Sequence, residues 1–180
     1  LLHDFTFRDP EEILAGLRQG SGMAMEMGTG QAGMDHSGMA MGGQPPATMA
    51  MDINDIEFDA YLANDRTLAD PEIVPVEAGG RVRLRIINGA AATNFILDLG
   101  PLTGDLIAVD GHPVMPLAGN RFEIAISQRL DIRLQLPPGP GSYPILVQRE
   151  GEVQRAGIVL ATQKSPIRKI VERSDTAGSL

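Results

Sequence analysis

The residues best suited to chemistry in this sequence are Met23, Met25, Met27, Met34, Met39, Met41, Met49 and Met51, eight of its nine methionines, with His36 among them. A thioether sulfur is a soft, neutral donor that suits Cu(I), and an imidazole nitrogen can retain copper in either oxidation state. Donors recur at spacing two in Met23, Met25 and Met27, in Met39 and Met41, and in Met49 and Met51. The Gly, Ala and Ser residues around them let the backbone wrap until three sulfurs meet one ion. A flexible stretch of about 15 residues has an r.m.s. span of roughly 20 Å, so distant pairs can also converge. The candidate Cu(I) ligands are therefore these eight methionines, with His36 as an auxiliary whose share should fade below about pH 6.5, the ordinary imidazole value. The competing reading is an incidental linker composition. Core filling fits poorly, because spacing two gives no helical stripe and no bulky apolar residue is nearby to share a core.

The elements that would carry this segment can be read on either side of it. Residues 20–51 contain no Val, Ile, Leu or aromatic residue. Such a stretch buries too little apolar surface to offset chain entropy and reads as a flexible Met/Gly/His-rich insertion. Before it, Asp9, Pro10, Glu11 and Glu12 combine an N-cap acceptor, a first-turn proline and first-turn acids, and Ile13, Leu14 and Leu17 supply an apolar stripe that Gly20 should end. That predicts one short N-terminal helix.

After it the hydrophobic period becomes two. Ile56, Phe58, Ala60 and Leu62 alternate with Glu57, Asp59 and Tyr61; Val82, Leu84 and Ile86 with Arg81, Arg83 and Arg85; Phe95, Leu97 and Leu99 with Asn94, Ile96 and Asp98; Phe122, Ile124 and Ile126 with Arg121, Glu123 and Ala125. Residues 130–136 do the same against Arg129, Asp131, Arg133 and Gln135. Gly79 with Gly80, Asn88 with Gly89, Asp110 with Gly111, and Glu150 with Gly151 punctuate these runs, as short strands of an all-β sandwich or barrel require. The expected division is residues 1–19 as first strand and short helix, 20–51 as the insertion, 52–162 as the β-sandwich and 163–180 as a linker toward a next domain.

Composition narrows the functions. A net charge of −8 and only seven aromatics in 180 residues argue against nucleic acid and anionic membranes as partners. With no Cys there can be no disulfide, thiolate metal site or Cys nucleophile, and three His cannot build a three-His zinc site unless all of them converge, which argues against hydrolytic zinc. No run of 18 apolar residues suggests a membrane span, and no Ser-His-Asp set, Walker loop or dinucleotide fingerprint is visible. The first residues, Leu1 to Phe5, lack the order of a signal peptide and read as the inside of a longer polypeptide.

Several segments in register resemble a known family: residues 2–5, 58–64, 82–89, 106–114 and 129–132. Together they are similar to the middle, second cupredoxin-like domain of three-domain multicopper oxidases of the laccase and bacterial copper-resistance type. The resemblance covers residues 1–7 and 52–161, and Met34, Asp35, His36, Ser37, Gly38 and Met39 resemble the repeats of copper-resistance oxidases. It implies a cupredoxin-like Greek-key β-sandwich with flanking cupredoxin domains of the same parent chain as partners. It also implies copper as the parent's cofactor, a periplasmic or otherwise extracytoplasmic setting, and oxidation of phenols or metal ions coupled to O2 reduction in the parent. The family's type 1 copper needs a Cys between two His ligands, and its three-copper cluster needs His-x-His pairs. Neither pattern occurs in this sequence. No residue is therefore assigned as catalytic, and the chain alone is expected to be inactive as an oxidase. His112 is expected in a turn without copper, His3 in a strand bonded to the scaffold, and Arg81, Arg83 and Arg85 in pairs with Glu57, Asp59 or Asp98. Two other readings remain open: a stand-alone copper-buffering protein, and a β-sandwich interaction module without metal.

Overall fold

The computed structural model describes residues 1–23 and 56–179. They fall into two compact units, residues 7–56 and the remainder.

In the first unit the described element is α1 (Pro10–Met23). Its start is as expected. The Asp9 carboxylate accepts the Glu11 amide at 2.9 Å, and the Asp9 carbonyl accepts the amides of Glu12 and Ile13. Its end is not, because α1 runs through Gly20 to Met23. Glycine costs about 1 kcal/mol inside a helix but still makes the i to i−4 hydrogen bond, so without proline it weakens the helix rather than ending it.

The second unit is an all-β sandwich. One sheet has the order β3 (Ile73–Val76), β11 (Arg155–Thr162), β10 (Ser142–Arg149), β5 (Phe95–Asp98), β8 (Arg121–Ile124). The other has β4 (Arg81–Ile87), β9 (Arg129–Gln135), β6 (Gly104–Val109), β7 (His112–Gly119). A two-stranded ribbon, β1 (Leu2–Phe5) with β2 (Ala60–Ala63), joins the end of β4 through a Leu2 to Asn88 bridge. Phe95, Leu97, Phe122, Ile124, Ile145, Val147 and Leu160 from one sheet pack into one core with Leu84, Leu130, Ile132 and Leu134 from the other. Burying each such side chain fully contributes about 1.5–3 kcal/mol.

The alternation of β4 and β9 translates directly into an exposed and a buried face. Three expectations need correction. In β2 the buried residues are Tyr61 and Ala63, not Ala60 and Leu62, because the large ring of Tyr61 packs against Phe95 and takes the core position. In β5 both faces are covered, with Ile96 as buried as Phe95 and Leu97. The arginines of β4 do not reach Glu57, Asp59 or Asp98. Arg83 pairs with Asp131 across to β9, Arg85 lies 4.0 Å from the same carboxylate, and Arg81 donates to Gln135. Antiparallel register explains this, since Arg85 stands opposite Asp131 and Arg81 opposite Gln135.

The Asp110 and Gly111 pair does turn β6 into β7, both at positive φ (50° and 81°), as a two-residue hairpin of the primed kind requires. His112 opens β7 beside that turn, with Nδ1 3.1 Å from the Asp110 carbonyl. His3 lies in β1 with Nε2 3.4 Å from an Asp65 carboxylate oxygen. Residues 172–178 lie against the turn from β10 to β11: the Arg155 amide donates to the Glu172 carbonyl, Ser174 to Val153 and Gly178 to Glu152.

Candidate metal centre and its anchorage

Of the nine candidate ligands, Met23 closes α1, while Met25, Met27, Met34, His36, Met39, Met41, Met49 and Met51 lie outside the described residues. What the structure describes is the frame in which they are inserted. β1 and β2 are antiparallel neighbours, and Phe5 stands opposite Ala60 at the open end of the ribbon. Directly opposed residues in such a ladder lie about 5 Å apart. One step further out, the Thr6 hydroxyl donates to the Asp59 carboxylate at 2.7 Å. The whole stretch between Thr6 and Asp59 is thus the connection of a β-hairpin, with its entry and exit side by side.

Each arm of that hairpin is fastened to the sandwich. On the entry side the Asp4 carboxylate accepts the amides of Ala91 and Ala92 and the hydroxyl of Thr93, at 2.9 to 3.0 Å. The buried amide of Asn88 holds the same turn by donating to the Thr93 and Ile124 carbonyls and accepting from Ala90. On the exit side Arg149, only 1% exposed, donates from Nη1 to a Glu57 carboxylate oxygen at 3.0 Å and lies 5.4 Å from the centre of the Tyr61 ring. Tyr61 meets Phe58 and Phe95 edge-to-face.

An open cleft of about 300 Å³ adjoins this anchor, lined among others by Glu57, Tyr61, Gln154, Arg155 and Glu172. Gln154 Oε1 and Arg155 Nε are buried and without a hydrogen-bond partner among the described residues. Burial raises the Tyr61 pKa above its ordinary value, and the neighbouring Arg149 charge opposes that rise.

None of the anchoring residues was singled out by sequence reasoning as an anchor. A signal existed for Arg149: it occupies the same strand parity as Ile145 and Val147, so β10 carries a cation at a core-facing position. Asp4 gave no such signal, because its partners are 87 to 89 residues away.

The copper centres implied by the resemblance do not fit the residues present. The sequence has no Cys, and no group of three or more His, Cys, Asp or Glu side chains able to hold a metal occurs among the described residues. The multicopper oxidase family profile nonetheless matches residues 22–165, well over half of the chain. The chain belongs to the multicopper oxidase family. It is similar to the multicopper oxidase MmcO of Mycobacterium tuberculosis, 31% identical over 111 residues, which cover 62% of this chain and 22% of that protein. It is also similar to copper resistance protein A of Escherichia coli, 33% identical over 86 residues, covering 48% of this chain and 14% of that protein. Among solved structures it shares the fold of Fet3p, a multicopper oxidase that functions in iron import (TM-score 0.65, 10% identity, 99% of this chain and 30% of that one). The laccase from Botrytis aclada has the same fold (TM-score 0.60, 18% identity, 97% and 30%). The sandwich is thus a multicopper oxidase's cupredoxin-like domain, and the chain spans less than a third of the length of each of these relatives.

Proposed function

We propose that this chain is the non-catalytic middle domain of a multicopper oxidase and that its Met-rich segment binds Cu(I). The carrying observation is the donor set: a member of a copper-enzyme family that has no Cys and no His-x-His pair, yet confines eight methionines and one histidine to a single insertion. The domain separates and orients flanking copper-bearing cupredoxin domains of the same parent, which oxidises phenols or metal ions while reducing O2 in an extracytoplasmic compartment. The insertion supplies soft thioether donors, with His36 as an auxiliary nitrogen ligand.

The test is competition for Cu(I) against a chromogenic chelator, run on the native chain, on a variant with Leu at Met23, Met25, Met27, Met34, Met39, Met41, Met49 and Met51, and on His36→Ala. Loss of Cu(I) retention in the Leu variant is the expected result. Equal retention would reject thioether capture and leave the segment as a linker.

The hairpin frame favours a second reading, a stand-alone copper buffer. The stretch from Thr6 to Asp59 that contains the insertion leaves and rejoins the ribbon at the paired Phe5 and Ala60, an arrangement that needs no neighbouring domain. His-x-His pairs and a His-Cys run elsewhere in the full reading frame would decide for the oxidase.

A further inference from the structure

The outward face of the β4, β9 and β6 sheet carries charge of the opposite sign to the rest of the molecule. It presents Arg81, Arg83 and Arg85 from β4, Arg129 and Arg133 from β9, and as acids only Asp131 and Asp105. The chain as a whole has 15 basic residues against 23 acidic ones. This concentration is not imposed by the fold, because the buried face of the same strands is what packs the core. It also carries a local penalty: register sets Arg83 opposite Arg133, and like charges directly opposed on one sheet face are destabilising. Asp131 relieves part of this by accepting from Arg83, and Asp105 by accepting from Arg133 at 3.1 Å. Arg85 and Arg133 keep more than half of their side-chain surface in solvent even so. An open cleft of about 330 Å³ lies at one end of this face, lined by Arg81, Thr103, Asp105, Arg133, Leu134 and Gln135.

We infer that this face docks an extended acidic segment of a partner protein. Arg81, Arg83 and Arg85 follow one another at every second residue, about 6.8 Å apart, which is the spacing of side chains on one face of an extended peptide. An acidic segment with carboxylates at alternate positions brings one within reach of Arg81 and another within reach of Arg85 for charge-assisted hydrogen bonds, while Arg83 stays on Asp131. Nucleic acid fits less well. The acid excess elsewhere on the chain repels a long polyanion that extends beyond this face. The inference does not depend on copper binding by the Met-rich segment.

The test is fluorescence anisotropy of a dye-labelled ten-residue peptide of alternating Glu and Ser against the metal-free full chain, with oligo-dT of equal charge as the competing probe. Binding at about 20 mM salt that weakens steeply by about 200 mM is expected, as for exposed charge pairs. The triple variant Arg81→Gln, Arg85→Gln, Arg129→Gln should bind about tenfold or more weakly, in keeping with three lost charge-assisted contacts. A control with the same change in net charge away from this face, Arg66→Gln, Arg121→Gln, Arg168→Gln, should bind like the native chain. Circular dichroism verifies each fold, and Arg85→Gln alone serves if the triple variant fails to fold. No binding at low salt, equal weakening by both triple variants, or tighter binding of oligo-dT than of the peptide would overturn the inference.

Discussion

Arg149 and Glu57 lie 92 residues apart in sequence and 3.0 Å apart in the fold, with the guanidinium buried and 72% of the carboxylate side chain still exposed. The two ends of this pair are therefore unequal. Glu57 can rehydrate when its partner is lost, whereas Arg149 fills space beneath the Tyr61 ring. Replacing Arg149 with Ala should destabilise the domain by about 3 kcal/mol, through the cavity and the lost ring contact. Glu57→Gln, which keeps a hydrogen-bond acceptor, should cost about 1 kcal/mol. Urea unfolding reads both; an Arg149→Ala midpoint equal to the native one would refute the anchoring role.

Replacing residues 21–50 with a short Gly/Ser linker should leave the sandwich intact, because the Phe5 to Ala60 register and the Thr6 to Asp59 hydrogen bond lie outside the deletion. The expected outcome is a melting temperature within a few degrees of the native chain, together with loss of Cu(I) retention. An unfolded product would show that the insertion holds the domain together.

Tyr61 sets an alkaline limit on stability. Its native pKa is raised by burial, so on passing about pH 10 the unfolded chain gives up the phenolic proton first while the folded chain keeps it. The unfolded state then binds fewer protons, and stability falls with rising pH until the folded tyrosine titrates too. In a Tyr143→Phe background Tyr61 is the one remaining tyrosine, and its ultraviolet titration should lie above pH 10. Tyr61→Phe removes the titrating phenol and should lose this alkaline dependence.

Two glycine substitutions should act in opposite directions. A Cβ on Gly157 would sit 2.4 Å from the Ile145 carbonyl oxygen, so Gly157→Ala must push β10 and β11 apart, at about 3 kcal/mol. A Cβ on Gly16 in α1 meets nothing within 4 Å among the described residues, and Gly16→Ala should favour the helix by about 1 kcal/mol. Thermal unfolding of the first variant and helix content of the second check the pair.

Strand patterning was legible where one face meets solvent. β4 and β9 alternate charge with branched apolar residues because water and core impose opposite demands on successive positions. β7 gave no such reading: its run from His112 to Gly119 is apolar and holds Pro113 and Pro116, yet it is an exposed edge, with Met115 89% exposed. Hydrophobicity without alternation does not say which side a strand turns to the core. The cross-strand partners of the arginines were illegible for a different reason. They depend on register between segments about 50 residues apart, which no local pattern encodes. The Met-rich segment stood out because its signal is compositional and needs no partner elsewhere in the chain.

The pairing of Phe5 with Ala60 has a consequence in evolutionary terms. The paired residues of the ribbon, Leu2 to Phe5 and Ala60 to Ala63, and the residues of the core all lie outside residues 20–51, so codons gained or lost there change none of them. On the proposed function, the number of thioether donors could then change under selection without altering a residue of the sandwich.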